Sequence, residues 1–247
     1  MKSTEDDAQV RLKQFAQEVA RLRRSPAASR AAVAAIKQFQ RERLAAVHAD
    51  LLKSERYRLA ARFFLDELYG ARDFSSRDQE LARMIPSMCR LLPESVLATL
   101  ADAIELDAVS EQLDEAMAAL HEAQGAVLPV LTERRYFDLY RAVGRRDLRV
   151  RQIELVEHVG RELDRLVGKP FLYRILKGME GPARLAGLAR MQSFLVSGFE
   201  AFRNMRGAED FIRTVTDRER ALMEATFSDA AGPAPAAVTP AAPGTPK

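Results

Sequence analysis

With 247 residues, 47% apolar and 30% charged, the chain has the composition of a soluble globular protein and enough length for one sizeable core. No apolar run approaches the roughly 18 residues of a membrane span. The polar, acidic first residues lack the apolar core of a signal peptide, so a cytoplasmic protein is expected. The single cysteine, Cys89, excludes an internal disulfide and a multi-cysteine zinc site, and the net charge of +3 hides a strong asymmetry along the chain.

Helical periodicity runs through the sequence. Leu12, Phe15, Val19 and Leu22 share one face of a helix over 10–23. Ser25 and Pro26 suit a stop and a new start, serine as a cap and proline in a first turn. A second helix over 31–52 sets Val33, Ile36, Phe39, Gln40, Leu44 and Val47 on one side. Ser54 is placed to cap a third, in which Tyr57, Ala60, Ala61, Phe64, Leu65 and Leu68 form a broad apolar stripe. That stripe predicts a deep, central helix with Phe64 and Leu68 buried and Gly70 at its end.

Ser76 and Gln79 match a capping box. The helix they open carries Leu81, Met84, Ile85 and Met88, with a kink expected at Pro86. Pro93 begins the next, with Leu97, Leu100, Ala101 and Ile104, and helix continues over 107–124 with a break allowed before it. Residues 125–131 read as a buried apolar connector. Thr132 caps a short helix to Val143, which Gly144 ends. The clearest helix covers 145–167, where Ile153, Val156, Gly160, Leu163 and Val167 recur at helical spacing. Gly168 and Pro170 separate it from a helix over 171–179, and Gly181-Pro182 opens another to Met205. Thr216 and Glu219 form a further capping box ahead of a last helix to Phe227. No alternating strand pattern and no internal repeat appears.

The expected fold is therefore all-α, a bundle of about eight to ten helices. Basic N-terminal helices over 1–47 are packed on or flank the main domain, and an all-helical domain covers 48–229. A tail over 230–247, with five of the eleven prolines, has too little to bury and is expected to be disordered.

Residues 11–62 hold 13 basic and 4 acidic side chains, residues 63–138 hold 6 and 15, and residues 139–229 hold 17 and 13. The favoured reading is attraction between these stretches within one fold. The competing reading, a basic arm for nucleic acid, lacks interleaved aromatics: Phe15 and Phe39 fit helical apolar stripes instead.

Dinucleotide and mononucleotide glycine loops, zincin helices and nucleophile elbows are all missing. None of His48, His121 and His158 follows a glutamate at the spacing of a di-iron helix. Three clusters remain. Around 63–78, Asp66, Tyr69 and Asp73 are candidates to line a polar ligand pocket, against a structural role in which the acids meet arginines. Glu111, Asp114, Ala118 and His121 share a stripe that carboxylates and an imidazole could use for a divalent metal, but a solvated acidic face is expected, with no metal and no cofactor. Near 177–188, Gly178, Gly181, Ala183, Ala186 and Gly187 suit close helix packing, and Arg174, Lys177 and Arg184 are candidate anion-binding residues around the helix start at Pro182.

The elements FFLDELYG with a following RD, then GKPF, GPARLAGL and QSFL, together resemble an uncharacterised family of bacterial all-helical proteins over residues 48–227. The resemblance implies an all-helical domain and brings no activity, ligand or catalytic residue. Three functions stay open. The leading one is a non-enzymatic interaction or scaffold protein with a protein partner. The others are an enzyme or small-ligand binder with a pocket at Asp66, Tyr69, Asp73 and Arg184, and nucleic-acid association through the N-terminal helices. No partner is named by the sequence, nor an oligomeric state.

Overall fold

A computed structural model describes residues 2–24, 28–68, 75–125 and 131–228, all of it helix, turn or connecting chain with no strand among the described residues. In order, the helices are α1 (Lys2–Arg24), α2 (Arg30–Val47), α3 (Ala49–Lys53), α4 (Arg58–Phe63) followed by a π-helical turn (Phe64–Leu68), and α5 (Ser75–Leu91). Then come α6 (Glu94–Ala123), α7 (Glu133–Val143), α8 (Arg146–Val167), α9 (Pro170–Gly178), α10 (Glu180–Leu185), α11 (Ala189–Met205) and α12 (Glu209–Ser228). The all-α class is as the sequence implies; short pieces such as α3 and α10, of five and six residues, raise the count. The expected disordered tail lies outside the described residues, as do Ser25, Pro26, Tyr69, Gly70, Asp73 and the connector over 126–130.

The central element is α6. It runs unbroken through 30 residues, without the break allowed near 107, and packs against α1, α2, α7 and α8. At 1.5 Å per residue it is about 45 Å long. Leu97, Ala101, Ile104 and Ala108 meet Leu12 and Val19 of α1 and Met84, Ile85 and Met88 of α5. Further along, Met117 and Ala118 join Ala32 and Ile36 of α2, Tyr136 and Phe137 of α7, Ile153 of α8 and Met223 of α12. A separate cluster gathers α3, α4, α11 and α12 around Phe202, Met205, Phe211 and Ile212.

The stretch expected to be central lies on this separate cluster instead. Ala60 and Ala61 are buried, but Phe64 is only partly buried, stacked on Phe211 at 5.8 Å between centroids, and the Leu68 side chain lies outside the described residues. The reason is local. The helix widens into a π turn at Phe64, which breaks the 3.6-residue spacing on which the stripe was drawn.

Several boundaries follow from their caps. Ser29 accepts from the Ala32 N–H at 3.1 Å to open α2, and Thr132 accepts from the Arg135 N–H at 3.3 Å to open α7. Gly144 ends α7 in the left-handed region, at φ 65°. α5 runs through Pro86. Three expectations fail. The helix expected over 31–52 is divided at His48 into α2 and α3. Gly187, at φ 67°, divides the helix expected from Gly181 to Met205 into α10 and α11. Thr216 caps nothing: it is buried inside α12, where its hydroxyl donates to the Ile212 carbonyl at 3.0 Å.

Candidate functional site

The chain's charge asymmetry is resolved along α6. Arg11 of α1 donates to Asp102 and Glu105 of α6. Arg23 donates to Asp107 and Glu111 of α6 and, through one nitrogen, to both oxygens of Asp78 of α5 at 2.7 and 2.8 Å. Lys37 of α2 also donates to Glu111. Basic residues of the N-terminal stretch thus meet the acids of the middle stretch, and the favoured reading of the asymmetry is the one the fold realises. Three of the four carboxylates on α6 that these cations meet lie at 12% side-chain exposure or less. Burial pushes the Glu111 carboxyl up, but Lys37 and Arg23 outweigh it and hold it below the ordinary range.

The stripe of Glu111, Asp114 and His121 is therefore not a solvated face. All three are buried, and so is Glu115. They are covered because α1, α2, α7 and α8 surround α6, and a helix surrounded by neighbours has no solvent side to offer. Asp114 accepts from the Gln40 amide at 2.7 Å. Burial raises its carboxyl to about 6; nearby Glu111 raises it too, while Lys37, Gln40 and Arg149 oppose them. Arg149 is itself buried, with its guanidinium 4.1 Å above the Tyr140 ring and a nitrogen 3.1 Å from the Met117 sulfur. Burial pushes the Tyr140 phenol up to about 12. His121 accepts from Arg135 at 3.3 Å, and burial and that guanidinium both push its imidazole down. No group of three or more metal-ligating side chains is assembled among the described residues.

A second charged node joins α2, α3 and α12. Arg43 donates to both oxygens of Glu219 at 2.9 and 2.7 Å, and Arg218 donates to both oxygens of Asp50 at 2.8 Å. Burial pushes the Glu219 carboxyl up, but Arg43 and His48 outweigh it and hold it at about 2. On α8, Glu157 pairs with Arg161 one turn on at 2.7 Å, as the spacing implies. His158 instead lies 3.2 Å from Asp102. A shallow open groove along α8 is lined by Glu154, Glu157, His158, Arg161, Glu162 and Arg165.

The structure scatters the residues singled out for a ligand pocket. Asp66 sits on the π turn with its side chain 47% exposed, and it accepts from Arg41 of α2 at 2.8 Å. Tyr69 and Asp73 lie outside the described residues. Arg174 and Lys177 are exposed on α9 and Arg184 is exposed on α10. Lys177 meets Glu180 and Glu200, at 3.0 and 3.2 Å. Arg174 and Arg184, like Lys169, have no carboxylate partner among the described residues.

These cations stand among apolar side chains that the sequence did not mark as exposed. α9 turns Leu172 inward and stacks Tyr173 on Phe199 of α11 at 5.6 Å. Phe171 and Ile175, one turn apart on its outer side, are 43% and 41% exposed, and Leu185 at the end of α10 is 92% exposed. A Cβ added at Gly178 or Gly181 would meet no atom within 4 Å, so the close packing expected of these glycines is absent and their backbone faces open space. Phe171, Leu172, Tyr173, Ile175 and Leu176 place apolar groups around most of this nine-residue helix, and its neighbours α8, α10 and α11 leave Phe171 and Ile175 partly uncovered.

No helix of the described residues is long and apolar enough to cross a membrane. No curated protein and no solved structure matches the chain. One family does, over residues 19–233, which reaches further toward the N-terminus than the resemblance at 48–227 and takes in α2. On that match, the chain belongs to the family described as Domain of unknown function (DUF8198).

Proposed function

We propose that the chain is a non-enzymatic interaction or scaffold protein of the cytoplasm, and that a protein partner covers the outer surface of α9 and α10. The observation that carries this reading is the exposure of Phe171, Ile175 and Leu185 beside Lys169, Arg174 and Arg184. Covering a leucine fully is worth about 1.5–3 kcal/mol, and Leu185 draws almost none of that from its own fold. The N-terminal cations support a protein partner over nucleic acid, because Arg11, Arg23, Lys37 and Arg43 are already directed at carboxylates of the chain. Asp66 beside Arg41 supports an intramolecular role for that acid.

The test is site-specific photo-crosslinking in cells of the source organism. A photoreactive phenylalanine at position 171 or 185 is expected to give discrete higher-mass adducts containing a second protein. The same group at Ala142, exposed at the end of α7, is the control and should give none. Equal adduct patterns at all three positions, or none at 171 and 185, would end the reading.

A further inference from the structure

Building on that interaction reading, we infer that the partner presents an acidic amphipathic α-helix, seated along the outer side of α9 and across the glycine junction into α10. Three independent features converge on this class. The first is charge. Residues 169–190 carry five basic side chains and one acid, Glu180, which Lys177 already meets. Where Arg11, Arg23, Lys37 and Arg43 meet carboxylates of the chain, Lys169, Arg174 and Arg184 meet none among the described residues. An incoming surface that complements them is acidic.

The second feature is the apolar pattern. Phe171 and Ile175 stand one helical turn apart, which is the spacing that accepts apolar anchors from a neighbouring helix at i and i+3 or i+4. Leu185, at the end of α10, adds a third exposed apolar side chain. The third feature is the open backbone at Gly178 and Gly181. Without a Cβ, that junction lets a second helix approach its backbone closely, as small residues do at tight helix crossings.

A lipid surface fits less well. The most apolar side of α9, with Leu172 and Leu176, is turned toward the fold, where Gln192 donates to the Leu176 carbonyl. Arg174 lies on the same outer side as Phe171 and Ile175 and would be carried into the acyl region with them. A glycine notch also serves no purpose against a fluid bilayer.

The experiment uses the full chain and a fluorescein-labelled helix-forming peptide with leucines along one face and glutamates on both flanks, read by anisotropy. A scrambled peptide of the same composition and vesicles of phosphatidylserine in phosphatidylcholine are run in parallel. Binding to the patterned peptide is expected to exceed that to the scrambled one by at least about tenfold and to weaken with salt. Leu185→Asp should weaken it by about tenfold with melting unchanged, because that side chain is 92% exposed; Ile175→Asp should weaken it likewise but with a lowered melting temperature, because Ile175 is only 41% exposed.

Gly178→Leu separates the possible occupants. It fills the notch and adds apolar surface, so it should weaken a docked helix about tenfold and strengthen a lipid contact. Vesicle binding that Gly178→Leu strengthens, with no preference for the patterned peptide, would overturn the inference in favour of lipid. Self-association abolished by Leu185→Asp would overturn it in favour of a second copy. Crosslinks at position 185 without peptide binding would sink the acidic helix and leave the interaction reading standing.

Discussion

Arg23 meets Asp78, Asp107 and Glu111 with its side chain only 13% exposed, so little water can take its place. Arg23→Ala removes the cation that Asp78, Asp107 and Glu111 share and leaves Lys37 on Glu111 alone. The expected loss is about 3–5 kcal/mol, read as a lowered urea midpoint. Arg23→Lys should lose less, keeping the charge but not the fork that spans three acids. A loss below about 1 kcal/mol for Arg23→Ala would show that water solvates the site. The pair of Arg41 and Asp66 is the opposite case, 40% and 47% exposed. Asp66→Asn should change stability by less than about 1 kcal/mol. Lost binding of a small molecule in that variant, at unchanged stability, would revive the pocket reading.

Helix α8 crosses α12 closely where Gly160 faces Ile212. A Cβ at position 160 would sit 2.9 Å from Ile212 Cγ1 and 3.0 Å from Cδ1, so the isoleucine must move. Overpacking of this kind costs about 1–3 kcal/mol, against a gain of about 1 kcal/mol in helix propensity for alanine. Gly160→Ala should therefore lower stability slightly, and adding Ile212→Val should restore it. Equal losses with and without Ile212→Val would show that the contact does not limit packing. Elements like α8 were legible in the sequence, because Thr132, Gly144 and Pro170 mark boundaries by local chemistry and an amphipathic helix declares its inner face. α6 was legible as helix but not as the hub. A helix buried on every side shows no contrast between faces, and its acids look solvated until their partners are found. Those partners stand 74 to 94 residues away, at Arg11, Arg23, Lys37 and Gln40, beyond any periodic pattern. The exposed side of α9 was missed for the converse reason: apolar spacing shows that a side chain could be buried, not that anything covers it.

At the scale of the whole molecule, two carboxylates shape the response to pH in opposite directions. Asp114 is raised to about 6, so the folded state holds its proton more tightly than the unfolded chain does. Stability from this group is fully present below about 4 and is lost as pH rises through about 6, for a total of about 3 kcal/mol. Asp114→Asn should therefore unfold at higher denaturant than the parent at neutral pH and match it near pH 4. Glu219 is held at about 2, so its contribution is present above about 4.5 and is lost as pH falls toward 2. Glu219→Gln should be less stable at neutral pH by about 3 kcal/mol and should flatten the acid limb of the profile. Unfolding curves across pH for the parent and both variants decide this; parallel profiles would place neither charge in the interior.

The ion pairs of α1 also act as a ruler. Arg11 meets Asp102 and Glu105, and Arg23 meets Asp107 and Glu111, so the two helices run in the same direction with two fixed marks along their length. A slip of one helical turn, about 5.4 Å, would preserve much of the leucine and alanine contact between them. It would also carry both arginines off their marks together and strand several carboxylates against apolar walls. The apolar seam alone would tolerate neighbouring alignments; the charges single out one of them.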